Sequence, residues 1–242
     1  MTGKRSSFLR LVLIPFLIIF LSGAGYFILT HFNRSGPRTR KVISFIRNPQ
    51  KHTDWIIPSL SRCQEKTPFT FPSEGYIGYL WDDSFRPGHR HQGIDIFSGT
   101  PPGATPVYAS YDGYLTRQSD WKSSLIIRIP EDPLNPSRQI WIYYTHLADD
   151  FGQSLILDQY PPGTFELPVN EGELLGYQGN FSGDPGNPVG VHLHFSIVQD
   201  DGSGRYLNEL KISNTLDPSP YFDLPLNGKQ NQHQIPACFQ DS

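Results

Sequence analysis

From Tyr76 onward the chain falls into short β-rich runs, each closed by Gly, Pro or Asp, and this segmentation most constrains its fold. The runs cover residues 93–96, 106–110, 113–118, 124–129, 139–146, 174–178 and 192–198. Gln139-Ile140-Trp141-Ile142-Tyr143-Tyr144 is aromatic and β-branched, as a pleated, half-buried surface prefers. Asp112-Gly113, Pro161-Pro162-Gly163 and Glu171-Gly172 are turn formers between runs. Gly and Pro contribute 22 residues each to 242, well above their ordinary combined share of roughly 12%. That composition excludes a coiled coil, and no run after Lys51 keeps a helical period for three turns. The expected class is a mostly β fold, an antiparallel sheet with long loops.

Charge divides the chain unevenly. Residues 1–53 hold nine Lys and Arg and no acid, while the other 11 of the 20 basic residues lie with all 23 Asp and Glu. A body with a net charge of −12 repels nucleic acid, which argues against a DNA- or RNA-binding function. Leu11 to Thr30 is uncharged for twenty residues, the length of a transmembrane helix. It reads either as a retained N-terminal anchor or, with small residues at Ser22 and Ala24, as a cleavable signal peptide. The expected layout is a basic N-terminus at 1–10, an anchor at 11–30, a basic stalk at 31–74, a β-rich domain at 75–225 and a tail at 226–242. The domain is expected outside the cell membrane, held by a single pass. The charge count opposes this: three basic residues precede the apolar run, and five follow it within about twenty residues. Cys63 and Cys238 either form one clasp in an oxidising compartment or remain two thiols.

Five residues carry candidate chemistry: His91, Asp95, His146, His192 and His194. Strand side chains alternate faces, so His91 and Asp95 share one side of an extended segment while Ile94 and Ile96 take the other. His192 and His194 likewise share a face, opposite Val191, Leu193 and Phe195. Imidazole and carboxylate donors suit Zn²⁺, and a catalytic zinc keeps three protein ligands and one open position. Five groups exceed that shell, so some serve instead as acid–base or polarising groups.

Arg90-His91-Gln92-Gly93-Ile94-Asp95-Ile96 resembles the first signature of the lysostaphin-type (LytM, M23) zinc peptidases. Tyr144-Thr145-His146-Leu147 resembles their middle signature, and Gly190-Val191-His192-Leu193-His194-Phe195 is similar to their HLHF signature, in the same order. The resemblance covers about residues 75–224. It implies one zinc on His91, Asp95 and His194, with His146 and His192 as catalytic residues beside an activated water. It also implies a compact antiparallel sheet with a loop-walled groove, and the peptide part of bacterial peptidoglycan as substrate. Tyr144 is either a further donor to the oxyanion or a packed strand aromatic. Three departures stand out: extra residues within 99–105, an insertion at 160–165, and Ser196 where an acid often follows HLHF. His89 reads as a rim histidine. A catalytically silent module of the same kind, which binds peptidoglycan or regulates a partner cell-wall hydrolase, is the alternative, as is a metallohydrolase of some other peptide or ester.

Overall fold

The computed structural model describes residues 36–83, 88–231 and 234–238. The expected anchor at 11–30 lies outside them, and among the described residues no helix is long and apolar enough to cross a membrane. The chain divides into two compact units, Met1–Pro37 and Arg38–Ser242, and the fold below belongs to the second.

Among the described residues ten short strands form two antiparallel sheets. In chain order they are β1 (Tyr76–Tyr79), β2 (Ile94–Phe97), β3 (Pro106–Tyr108), β4 (Gly113–Thr116), β5 (Leu125–Ile129), β6 (Ile140–Thr145), β7 (Leu167–Val169), β8 (Leu174–Tyr177), β9 (Leu193–Gln199) and β10 (Thr215–Leu216). The main sheet runs β1-β2-β9-β6-β5-β4-β7, with β10 pairing the far end of β9, while β3 and β8 pair separately. Seven of these strands coincide with the predicted runs to within a few residues. β1, β7 and β10 lie outside the predicted runs.

Alternation divides the main sheet into two chemically different faces. Ile94 and Ile96 of β2, Ile142 and Tyr144 of β6, and Leu193, Phe195 and Ile197 of β9 point into one continuous apolar core. The alternating residues Asp95, Thr145, His194 and Ser196 occupy the other face. Register then fixes neighbours: Asp95 of β2 lies opposite His194 of β9, and His194 lies opposite Thr145 of β6.

The expected basic stalk through residue 74 is corrected here. Helix α1 (Pro37–Arg47) buries Val42 and Phe45 against Tyr76 and Phe97, and Ile57, Phe69 and Phe71 enter the main core. The physical reason is spacing. Val42, Phe45 and Ile46 stand at i, i+3 and i+4, which places three apolar side chains on one stripe among the basic residues. Arg38 is itself buried, pairing with Asp83 at 2.7 Å and donating to the Asn231 carbonyl. Phe45→Ala is therefore expected to cost about 3–5 kcal/mol, read as a lower urea midpoint. An unchanged midpoint would mean that α1 is not part of the folded unit.

The expected tail is also tied down over its described residues. Leu226 is fully buried, Asn227 Nδ2 donates to Asp217 Oδ2 at 2.7 Å, and Cys238 is bonded to Cys63 across 175 residues of sequence. Of the two readings of the cysteines, the structure has the clasp.

Candidate metal centre

The centre starts from the Asp95–His194 cross-strand pair. Its third member is His91, four residues before Asp95 and just ahead of β2. Gly93 between them lets β2 close on β9, because a Cβ there would collide with the Phe195 carbonyl and Ser196 Oγ. As a result His91 Nε2, Asp95 Oδ1 and His194 Nδ1 converge. The separations are 3.1 Å for His91–Asp95, 3.1 Å for His91–His194 and 2.8 Å for His194–Asp95. All three residues are buried.

These distances are a direct test of fit. Donors about 2.0–2.1 Å from a tetrahedral zinc lie about 3.3–3.4 Å apart, close to the spacing found. The ring nitrogens facing away are equally informative. His91 Nδ1 donates to the Leu80 carbonyl at 2.9 Å, and His194 Nε2 donates to Glu209 Oε2 at 2.9 Å. A carbonyl or carboxylate only accepts, so the outer nitrogen carries a hydrogen, and in the neutral ring that leaves the inner nitrogen as the one able to bind a cation. The donor set and its tautomers fit a divalent ion held by His91, Asp95 and His194.

His146 and His192 stand beside this group, their rings 4.4 Å apart. Each anchors its outer nitrogen in the same manner: His146 Nδ1 donates to the Phe181 carbonyl at 2.7 Å and His192 Nδ1 to the Gly190 carbonyl at 2.6 Å. Gly179 brings the two together. It pairs with His192 in an isolated bridge, and its missing side chain lets the His146 and Ala148 carbonyls approach. His146 follows the end of β6 with φ 68°, a left-handed backbone uncommon for a residue with a Cβ. His192 stacks on Phe97 at 4.9 Å, and its Nε2 is 3.7 Å from Asp95 Oδ1.

Burial decides the charges. Desolvation lowers the His146 imidazole to about 3, helped by its neighbour His192, and lowers His192 as well, so both rings are neutral at pH 7. Burial opposes ionisation of Asp95, but the surrounding His91, His192 and His194 outweigh it and hold the carboxyl well below the usual range. Burial also works against charge on His194. Glu209 and Asp95 overcome it and raise that ring to about 10. Two carboxylates around one buried imidazole demand positive charge, which a proton or a divalent cation can supply.

A cleft of about 650 Å³ opens over the group, with His89 also on its wall. Val42 and Ile46 of α1, Phe97 and Phe181 give it apolar walls, and Ser124 and Thr145 polar ones. Tyr144 is not among its residues: it is fully buried on the core face, and its hydroxyl accepts from Ser110 N at 2.9 Å. Of its two readings, the packed strand aromatic holds, and the tyrosines lining the cleft are Tyr79 and Tyr143. Alternation in β6 could have found Tyr143, which shares a face with Thr145. Glu209 carries no such signal, since it comes from an irregular segment 15 residues after His194.

Fold and centre together define a mostly antiparallel β domain with a buried His–Asp–His group fit for a divalent metal. The chain is similar to solved lysostaphin-type and M23 peptidase domains, the family whose signatures its own motifs resemble. Lysostaphin from Staphylococcus simulans matches at 19% identity and TM-score 0.39, over 62% of this chain and 49% of that one, so the chain spans about half its length. The catalytic domain of lysostaphin matches at 20% identity and TM-score 0.38, over 62% and 90%. Csd3 from Helicobacter pylori matches at 20% identity and TM-score 0.35, over 60% and 34%. No family model and no curated protein matches the sequence. At these identities and scores the likenesses carry no functional argument, and the chemistry is drawn from this chain's own residues.

Proposed function

We propose that this chain is a zinc endopeptidase that hydrolyses the peptide part of bacterial peptidoglycan. The observation that carries this reading is the convergence of His91 Nε2, Asp95 Oδ1 and His194 Nδ1 beside two neutral, anchored imidazoles in one cleft. Zinc bound there supplies Lewis acidity, lowering the pKa of a water and polarising a carbonyl. The protein's part is positioning and proton transfer. His146 and His192 carry their hydrogens on Nδ1, so Nε2 of each can accept a proton from the attacking water and return it to the leaving amine. Once protonated, either ring becomes a donor to the developing oxyanion. The apolar walls exclude water from around these groups and strengthen their interactions.

The substrate class follows from the three signatures that resemble the lysostaphin-type family. An extracytoplasmic domain, anchored through residues 11–30, is part of the same proposal. It is supported by the uncharged run and by a disulfide, which suits an oxidising compartment. Digestion of peptidoglycans of several crosslink chemistries by the full chain is expected to release new amino termini. A chelator should stop the release and zinc should restore it. Intact walls under all conditions would overturn the reading.

A further inference from the structure

Glu209 belongs to none of the sequence signatures, yet its carboxylate lies against the outer nitrogen of His194. We propose that Glu209 is a positioning residue that fixes His194 as a ligand through Nδ1, a role that rests on the reading of His91, Asp95 and His194 as holders of a divalent ion.

Ser196 is the other group near His194 Nε2, with Oγ at 2.9 Å, and on its own it cannot choose the tautomer. A hydroxyl both donates and accepts, so it can satisfy Nε2 with or without a hydrogen. A carboxylate only accepts. Glu209 Oε2, 2.9 Å from Nε2, holds the hydrogen there, so the neutral ring that binds a cation must present its lone pair from Nδ1, which lies 2.8 Å from Asp95 Oδ1. The same Oε2 accepts from Ser196 Oγ at 3.2 Å. That turns the serine lone pairs toward His194 and makes both neighbours act in one sense. His194 and Ser196 are buried and the Glu209 side chain is 22% exposed, so water competes little for these bonds. Partial negative charge passed to the ring also makes Nδ1 a stronger donor to a cation.

The segment carrying Glu209 is braced for this task. It leaves β9 through a turn in which Asp200 Oδ1 accepts from Gly202 N at 2.7 Å and Gly204 N at 3.0 Å. Asn208 takes a left-handed φ of 65°, which Asn tolerates better than most residues, and its Oδ1 accepts from Leu210 N at 3.0 Å. Asn214 Nδ2 then donates to the Leu207 carbonyl at 3.1 Å. Residues on both sides of Glu209 are thereby held, and the carboxylate reaches the sheet from outside it.

The test uses the full chain and Zn²⁺, with affinity measured by competition against a chromophoric chelator. Glu209→Ala is expected to weaken zinc binding about 10–100-fold. Glu209→Gln keeps an acceptor but loses its charge, so about 3–10-fold is expected. In the zinc-loaded wild type the His194 Nε2–H proton should resonate far downfield, and it should move upfield in the Gln variant. A residue that merely packs would not move that resonance. Zinc affinity within about threefold of wild type in both variants, with the resonance unmoved, overturns the proposal. Should the Ala variant fail to fold, the Gln variant decides by the same two readings. Absence of zinc binding by the wild type would instead overturn the metal reading, and the role of Glu209 with it.

Discussion

Asp95→Ala is expected to leave the protein without its metal. Asp95 Oδ1 lies 3.1 Å from His91 Nε2 and 2.8 Å from His194 Nδ1, so it touches both other donors and is the only negative one of the three. Removing it takes away a ligand and leaves two buried imidazoles to hold a dication alone. The drop in affinity should exceed the roughly 10–100-fold typical of losing an outer partner. His194→Ala should do the same, because His194 joins Asp95 to the Glu209 carboxylate. Metal content after dialysis of the purified protein checks both. One full equivalent retained in each variant would sink the assignment of the centre.

His146→Ala and His192→Ala should behave in the opposite way, keeping the metal and losing turnover by about 10²–10⁴-fold. Neither ring belongs to the converging His–Asp–His group, and both are held neutral with Nδ1 fixed on a backbone carbonyl. That state is the one a proton acceptor at Nε2 needs. The left-handed backbone at His146 is consistent with a side chain held in place for a purpose, since such a conformation costs about 1–3 kcal/mol. Parallel measurement of metal content and of amino termini released from peptidoglycan separates the two classes of residue. Loss of metal from His192→Ala would make His192 a ligand instead.

How far the sequence discloses the centre depends on the range of each relationship. His91 with Asp95, and His192 with His194, are readable because each pair lies within four residues and the backbone is extended or nearly so. The core is readable for the same reason: Ile94, Ile96, Leu193 and Phe195 alternate with polar residues, and all four are buried. Tyr144 and Tyr143 are adjacent, and the pleat alone sends one to the core and the other to the cleft. Charge is a poorer guide. The six basic residues from Arg34 to Lys51 suggest a solvated stalk, whereas the apolar stripe of α1 outweighs them and even Arg38 is buried by pairing with Asp83.

By itself, then, the sequence determined the alternation that separates core from site, the turn-bounded strands, and the two short motifs that carry the converging His and Asp side chains. Those are local matters, set by side-chain direction over a few residues. Only the tertiary structure decided that β2 and β9 lie side by side with Asp95 opposite His194, and that Gly179 draws His146 up to His192. It also brought Glu209 from an irregular segment to the back of His194, made α1 a wall of the cleft, and closed Cys63 on Cys238. Each of these joins residues far apart in the chain through strand register, close backbone approach or core packing, and no local pattern encodes such a meeting.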